Sequence, residues 1–297
     1  MLASRVVSAD VLRQVKNIEL RTRRLVNTIF SGEYRSVFRG TGMEFAEVRA
    51  YQQGDDYRSI DWNVSARMGS PYVKTFHEER ELTVLLIVDR SGSVEFGGPV
   101  AKAAMGVEVA AVLALAAARQ NDRVGALIFS DGIDHVVTPK KGRRHALRVI
   151  RDLVAFQPTH GGTNLTAALT YAARLLRNRA IIAILSDFRA RGWEEQLGRL
   201  ARRHEVVAIT VDDPKEFDLP NAGWLELTDA ETGERNLVDT SNEDTRVRVS
   251  MAAEEQRLHR AKLLLQTQVD HIALRTDRPY AEELHRAFVE RARRLRR

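Results

Sequence analysis

The sequence predicts a mixed α/β protein: a mostly parallel sheet with helices on both faces, joined to a small N-terminal β-rich module. Three observations carry this. Short β-branched runs at Leu82–Val88, Arg123–Phe129, Arg179–Ser186 and Glu205–Val211 alternate with helical stretches near Pro99–Arg119, Arg143–Ala155, Asn164–Leu176 and Trp193–Arg203. The strand runs are apolar at consecutive positions, as strands covered on both faces are. Before Leu82, Gly32, Gly40, Gly42, Gly54 and Gly69 break the chain into short pieces of strand length.

Taken in order, Asp10–Phe30 reads as a helix, because Val11, Val15, Ile18, Leu25 and Ile29 recur at helical spacing among Arg and Lys. No Gly, Ser or Pro linker follows it, so it is expected to pack on the body. Ser36–Arg39, Glu44–Tyr51 and Tyr72–Phe76 read as short strands. Residues 1–81 thus form an N-terminal helix and β-rich module, and residues 82–297 the main domain with a C-terminal helical extension. Within the latter, Lys102–Ala118 is Ala-rich and apolar nearly all round, the pattern of a helix buried against a sheet. His135–Thr138 is expected as an antiparallel edge strand. Trp224–Val238 reads as a hairpin turning at Gly233, followed by a long helix over Glu243–Gln268, a last strand at His271–Arg275 and a last helix over Tyr280–Arg297.

Composition narrows the function classes. The chain has 297 residues, 44% hydrophobic and 29% charged, the profile of a soluble globular protein. It contains no cysteine, which excludes disulfides, thiolate metal sites and a cysteine nucleophile. The N-terminus lacks the apolar core of a signal peptide. The longest uncharged apolar run, Val109–Ala118, is too short for a membrane span, so a cytoplasmic protein without a membrane segment is expected. The net charge of +6 invites a nucleic-acid reading. Much of it sits in Leu284–Arg297, where six arginines face one glutamate. A solvated terminal helix is the preferred reading of that tail, since chain termini are commonly loose, and nucleic acid is not expected as the partner.

The chemistry concentrates in three pieces. LTVLLIVDRSGS ends an apolar strand in Asp89, Ser91 and Ser93, three oxygen side chains at alternating positions. HGGTNL carries Thr163 in a glycine-containing turn before a helix. IIAILSDF brings Asp187 to the end of a second apolar strand. In an open parallel sheet the C-terminal strand ends are where ligands bind. Two carboxylates and three hydroxyls, with no Cys or His among them, suit a hard cation; Mg²⁺ fits and Mn²⁺ would also fit. The competing reading is that Asp89 and Asp187 only cap helix N-termini.

With Thr163 and Asp187 placed after the proper elements, the DxSxS string resembles the metal-ion-dependent adhesion site of von Willebrand factor A domains, which have a Rossmann-like fold. The resemblance implies Asp89, Ser91, Ser93, Thr163 and Asp187 as metal site residues. It further implies that Asp187 acts through water and that an open coordination position takes an acidic residue of a partner protein. Phe188 departs from the pattern, since many members have Gly after the last Asp.

Gly40–Arg67, GTGMEFAEVRAYQQGDDYRSIDWNVSAR, resembles the signature of the bacterial family of domain-of-unknown-function fifty-eight proteins (DUF58), in which an A-type domain directly follows this segment. That resemblance implies association with a MoxR-type AAA+ ATPase. Arg49, Asp55, Asp56, Arg58, Asp61, Trp62 and Arg67 are read as a salt-bridged core anchored by Trp62, with a second partner surface as the alternative. The chain has no GxxxxGK[ST] string and no G-x-S-x-G elbow, and no catalytic residue is assigned. The expected function is a metal-dependent protein-interaction module, an adaptor or co-chaperone for the ATPase. The alternatives are a metal-dependent phosphoesterase or nuclease, with His160 as the obvious base, and a nucleic-acid binder using the basic tail.

Overall fold

The computed structural model describes residues 9–29, 44–77, 82–95, 102–157, 162–228 and 234–295. The strand read at Ser36–Arg39 and the Gly233 turn lie outside them. Contacts divide the chain into two units: Arg39–Leu82, and the remainder, Met1–Phe38 with Thr83–Arg297.

The larger unit is built on a six-stranded sheet. Its strands are β3 (Thr83–Asp89), β4 (Arg123–Phe129), β5 (Ile133–Lys140), β6 (Ile181–Leu185), β7 (Glu205–Asp212) and β10 (Asp270–Arg275), in the order β10-β7-β6-β3-β4-β5. All neighbours are parallel except β5, which runs antiparallel to β4 at the edge. From β3 the chain moves outward through β4 and β5, then returns to the other side of β3 for β6 and β7. The β3/β6 boundary is therefore the topological switch point, where such sheets open a crevice.

Alternation along the strands sends side chains to two covered faces. Leu85, Ile87, Leu127, Phe129, Ile182 and Ile184 pack with α5 (Leu165–Leu175), α6 (Glu194–Arg203) and Leu264 of α7 (Glu243–Gln266). The opposite parity, Val84, Ile181, Ala183, Val207 and Ile209, lines a small apolar cavity with Leu113 and Phe288. Those two residues belong to α3 (Lys102–Arg119) and α8 (Tyr280–Leu295). α3 is buried nearly all round because α1 (Ala9–Ile29) and α4 (Arg143–Ala155) pack on it from outside. This corrects the grouping of residues 1–81. Val15 and Val26 of α1 are buried, and the helix belongs to the sheet unit.

The basic tail is not a solvated helix. Leu284 and Phe288 are buried. Arg291, only 8% exposed, pairs with Asp270 of β10 and with Glu205 of β7, and Arg294 pairs with Asp270 at 3.0 Å. Apolar spacing within the arginine run docks it, and acids at the strand starts neutralise part of its charge.

In the smaller unit β1 (Glu44–Ala50) pairs antiparallel with β2 (Tyr72–His77). Between them the β-rich reading missed a helix, α2 (Trp62–Met68). Asp61 caps it by accepting from the N–H groups of Asn63 and Val64, and Gly69 ends it at φ 73°. The salt bridge is present: Arg49 grips Asp55 with two hydrogen bonds of 2.8 and 2.7 Å, which hold the Asp55 carboxyl below its ordinary range. Trp62, however, is 69% exposed, so it does not anchor a core. Helix spacing turns it away from half-buried Val64, two positions on and nearly opposite it round the helix. The hairpin β8 (Trp224–Thr228) with β9 (Arg235–Asp239) forms its own two-stranded sheet.

Candidate metal centre at the switch point

Asp89 is the last residue of β3, and Val88 pairs with Leu185, the last residue of β6. The parallel register sets Asp89 beside Ser186 and leaves Asp187 one residue further along the same rim. Asp89, Ser91 and Asp187 are all buried, at 1%, 0% and 3% exposure. The continuous apolar strands that flank them exclude water and put the two carboxylates in a medium that favours neither charge.

Local turns use up one oxygen of each carboxylate. Asp89 Oδ1 accepts from the Ser91 N–H at 2.9 Å, and Asp187 Oδ1 from the Arg189 N–H at 3.1 Å. Neither residue begins an α-helix: Asp89 precedes a 3-10 turn at Gly92–Glu95, and α6 starts only at Glu194. The capping alternative therefore accounts for one oxygen of each. Of the others, Asp89 Oδ2 accepts from Ser186 Oγ at 2.6 Å. Asp187 Oδ2 is buried with no hydrogen-bond partner among the described residues. Burial, followed by the negative charge of Asp187, pushes the Asp89 carboxyl up to about 7, against the opposing hydrogen bonds from Ser186 and Ser91.

Thr163 stands on the next strand end. Asp89 pairs with Phe129 at the end of β4, the Arg90 N–H donates to the Phe129 carbonyl at 2.9 Å, and the Asn164 N–H donates to the Ser130 carbonyl at 2.6 Å. Asn164 then caps α5 by accepting from the Ala167 N–H. Half-buried Thr163 is thereby held on the rim one strand away from Asp89. The backbone of Ser93 lies in the 3-10 turn; its side chain, like His160 and Gly161, lies outside the described residues.

Sequence reading missed five residues here: Ser186, Lys102, Glu216, Arg189 and Arg260. Ser186 was passed over as a strand residue. Lys102, the first residue of α3, has a side chain only 1% exposed; its Nζ donates to Glu216 Oε1 at 2.5 Å and lies 3.9 Å from Asp187 Oδ2. Arg189 reaches the same two acids, at 3.2 Å from Glu216 Oε1 and 3.8 Å from Asp187 Oδ2. A signal for Lys102 was available: a single lysine opening an apolar helix sits where the helix dipole disfavours a cation, and needs an acid partner. Arg260 of α7 fastens the same loop from the other side, donating to the Asp187 carbonyl at 3.0 Å and to both oxygens of Asp212 at 2.8 and 2.7 Å.

The donor set is carboxylate and hydroxyl oxygen. Among the described residues no group of three or more His, Cys, Asp or Glu side chains gathers into a metal cluster, so any cation here would rely on hydroxyls and water. The unpartnered Asp187 Oδ2 beside the buried Asp89 is the feature that fits a small hard cation. No helix among the described residues is long and apolar enough to cross a membrane.

Comparison with known proteins places the whole chain. The family described as "Protein of unknown function DUF58" matches residues 47–259. "Uncharacterized protein Rv1480" of Mycobacterium tuberculosis and "Uncharacterized protein Mb1516" of Mycobacterium bovis are each 31% identical over 299 residues, spanning 99% of this chain and 93% of theirs. Among solved structures, the conserved hypothetical protein BatB from Bacteroides thetaiotaomicron is 13% identical with a TM-score of 0.44, over 71% of this chain and 99% of that one. An aerotolerance-related membrane protein from Bacteroides fragilis is 15% identical with a TM-score of 0.47, over 72% and 99%. The family match covers most of the length: this chain belongs to the DUF58 family.

Proposed function

We propose that this protein is a metal-dependent protein-interaction module of the von Willebrand factor A type, serving as an adaptor or co-chaperone for a MoxR-type AAA+ ATPase. The observation that carries the reading is the buried pair Asp89 and Asp187 at the sheet's switch point, with Asp187 Oδ2 lacking a hydrogen-bond partner among the described residues. Asp89, Ser91, Ser93 and Thr163 would hold Mg²⁺ or Mn²⁺, and Asp187 would act through water. The cation would supply a positive point on the rim for a Glu or Asp of the partner. The chain's own residues do the rest. β3 and β6 fix the carboxylates, Ser186 orients Asp89, and the apolar strands keep water from weakening the charge-assisted contact.

Two supports for the ATPase partner are the Gly40–Arg67 resemblance and membership of the DUF58 family. The test is capture of native partners with Mg²⁺, with EDTA, and with Asp89→Ala, alongside calorimetric titration of Mg²⁺ into the purified chain. The expected result is an AAA+ ATPase retained by the wild type in Mg²⁺ and lost in the other two arms, while circular dichroism of Asp89→Ala stays native. Capture that ignores both metal and substitution would overturn the mechanism.

A further inference from the structure

Lys102 is hard to explain as a packing residue. Burying an ammonium is costly unless acids compensate it closely, and an apolar residue at this position would suit the rest of α3. Its two acid neighbours come from distant parts of the chain, Glu216 after β7 and Asp187 after β6. Asp187 offers it the oxygen that lacks a hydrogen-bond partner among the described residues.

We propose that Lys102 is the site's built-in cation: its ammonium compensates Asp187 when no divalent ion is present and is held on Glu216 when one binds. The inference rests on the metal-dependent reading above and adds to it a competitor carried by the chain itself. The same Nζ already donates to Glu216 while standing 3.9 Å from Asp187 Oδ2. The change of partner therefore needs only a torsional adjustment of a flexible four-carbon stem. Glu216 is the holding station, and Arg189 bridges the same two acids from a more exposed position. Two consequences follow. The metal-free site keeps its carboxylates compensated and folded, and its affinity for divalent cations is lowered by the attraction between Lys102 and Asp187.

The test compares the full-length wild type with Lys102→Met, Glu216→Gln and the double variant, by calorimetric Mg²⁺ and Mn²⁺ titration and by metal-induced shifts in Tm. Lys102→Met is expected to bind Mg²⁺ about tenfold more tightly, to melt lower than wild type in EDTA, and to gain more from added metal. Glu216→Gln, which releases the lysine toward Asp187, is expected to bind more weakly. The double variant has the wild-type net charge and removes the Lys102–Glu216 pair together, with Arg189 still facing Asp187. It separates competition from long-range charge and serves if Lys102→Met fails to fold. Tighter binding in the double variant supports the proposal; binding within twofold of wild type, in it or in Lys102→Met, overturns it. Folded wild type and folded variants that all bind no divalent cation overturn the metal reading itself, and this inference with it.

Discussion

Ser186 Oγ donates a 2.6 Å hydrogen bond to Oδ2 of Asp89, from the residue that follows the neighbouring strand β6. Ser186 Oγ also accepts from the Phe188 N–H at 3.1 Å. One hydroxyl thus ties the candidate metal carboxylate to the turn that presents Asp187. Replacing Ser186 with Ala leaves a buried carboxylate oxygen and a buried N–H without their partner. The expected cost is about 1–3 kcal/mol in urea unfolding, with weaker Mg²⁺ binding in the same preparation. Ser186→Thr, which keeps the hydroxyl, is expected to recover the binding.

Phe188 takes φ 52°, a left-handed conformation that a bulky residue enters only under constraint. It is buried and meets Trp193 edge-on, centroids 5.2 Å apart at 71°. This accounts for the departure noted in the sequence: glycine satisfies the turn without strain, while phenylalanine accepts strain of about 1–2 kcal/mol in return for aromatic burial. Phe188→Gly relieves the backbone but opens a cavity. The packing loss, about 3–5 kcal/mol for a buried phenylalanine, is the larger effect. Chemical denaturation should show a net loss of about 1–4 kcal/mol, and an unchanged or raised midpoint would show that the strain dominates.

The parts legible in the sequence share a physical cause. β3, β4, β6 and β7 are continuous apolar runs because helices cover both of their faces, and that pattern survives without knowledge of any partner. The Asp89, Ser91 and Asp187 positions were legible because strand ends project loops to one rim. Lys102, Glu216 and Arg260 were not, because each is defined by a residue far away in the chain. The tail failed for a related reason. Its arginines suggested solvent, and only the docked helix reveals that Leu284 and Phe288 face the core. α2 was hidden because seven residues are too few for a periodic signal, although the Asp61 cap and Gly69 stop were present.

Trp62 supplies a clean contrast within the smaller unit. At 69% exposure its indole has little packing to lose. Trp62→Ala is expected to leave the unfolding free energy within about 0.5 kcal/mol of wild type, as exposed substitutions do. A loss of several kcal/mol in a melting experiment would show that the ring is buried in solution.

The docked tail changes how a truncation should be read. Removing Leu284–Arg297 deletes two buried apolar side chains and leaves Asp270 and Glu205 without Arg291. Such a chain is expected to lose cooperative unfolding, so loss of any binding by it would report on folding. Phe288→Ala isolates the packing and is expected to cost about 3–4 kcal/mol in denaturant titration. A shift below about 1 kcal/mol would restore the picture of a solvated tail.

His204 makes acid stability predictable. It is 3% exposed; Nδ1 accepts from the Ala180 N–H at 3.2 Å, and Nε2 is buried without a partner among the described residues. Because Nδ1 is an acceptor, the ring is neutral with its proton on Nε2. Burial, then the charges of Arg203 and Arg179, push the imidazole down to about 4 from an ordinary 6.5. Between those values the unfolded chain binds the proton and the folded chain does not. Stability contributed by the neutral ring is complete above pH 6.5, falls as the pH drops toward 4, and levels off below that. The loss attributable to His204 is on the order of 2–3 kcal/mol. His204→Asn keeps an acceptor for the Ala180 N–H and cannot titrate. Urea unfolding from pH 7 to pH 4 should therefore show a shallower decline for this variant than for the wild type, and parallel curves would mean that His204 does not titrate as its surroundings require.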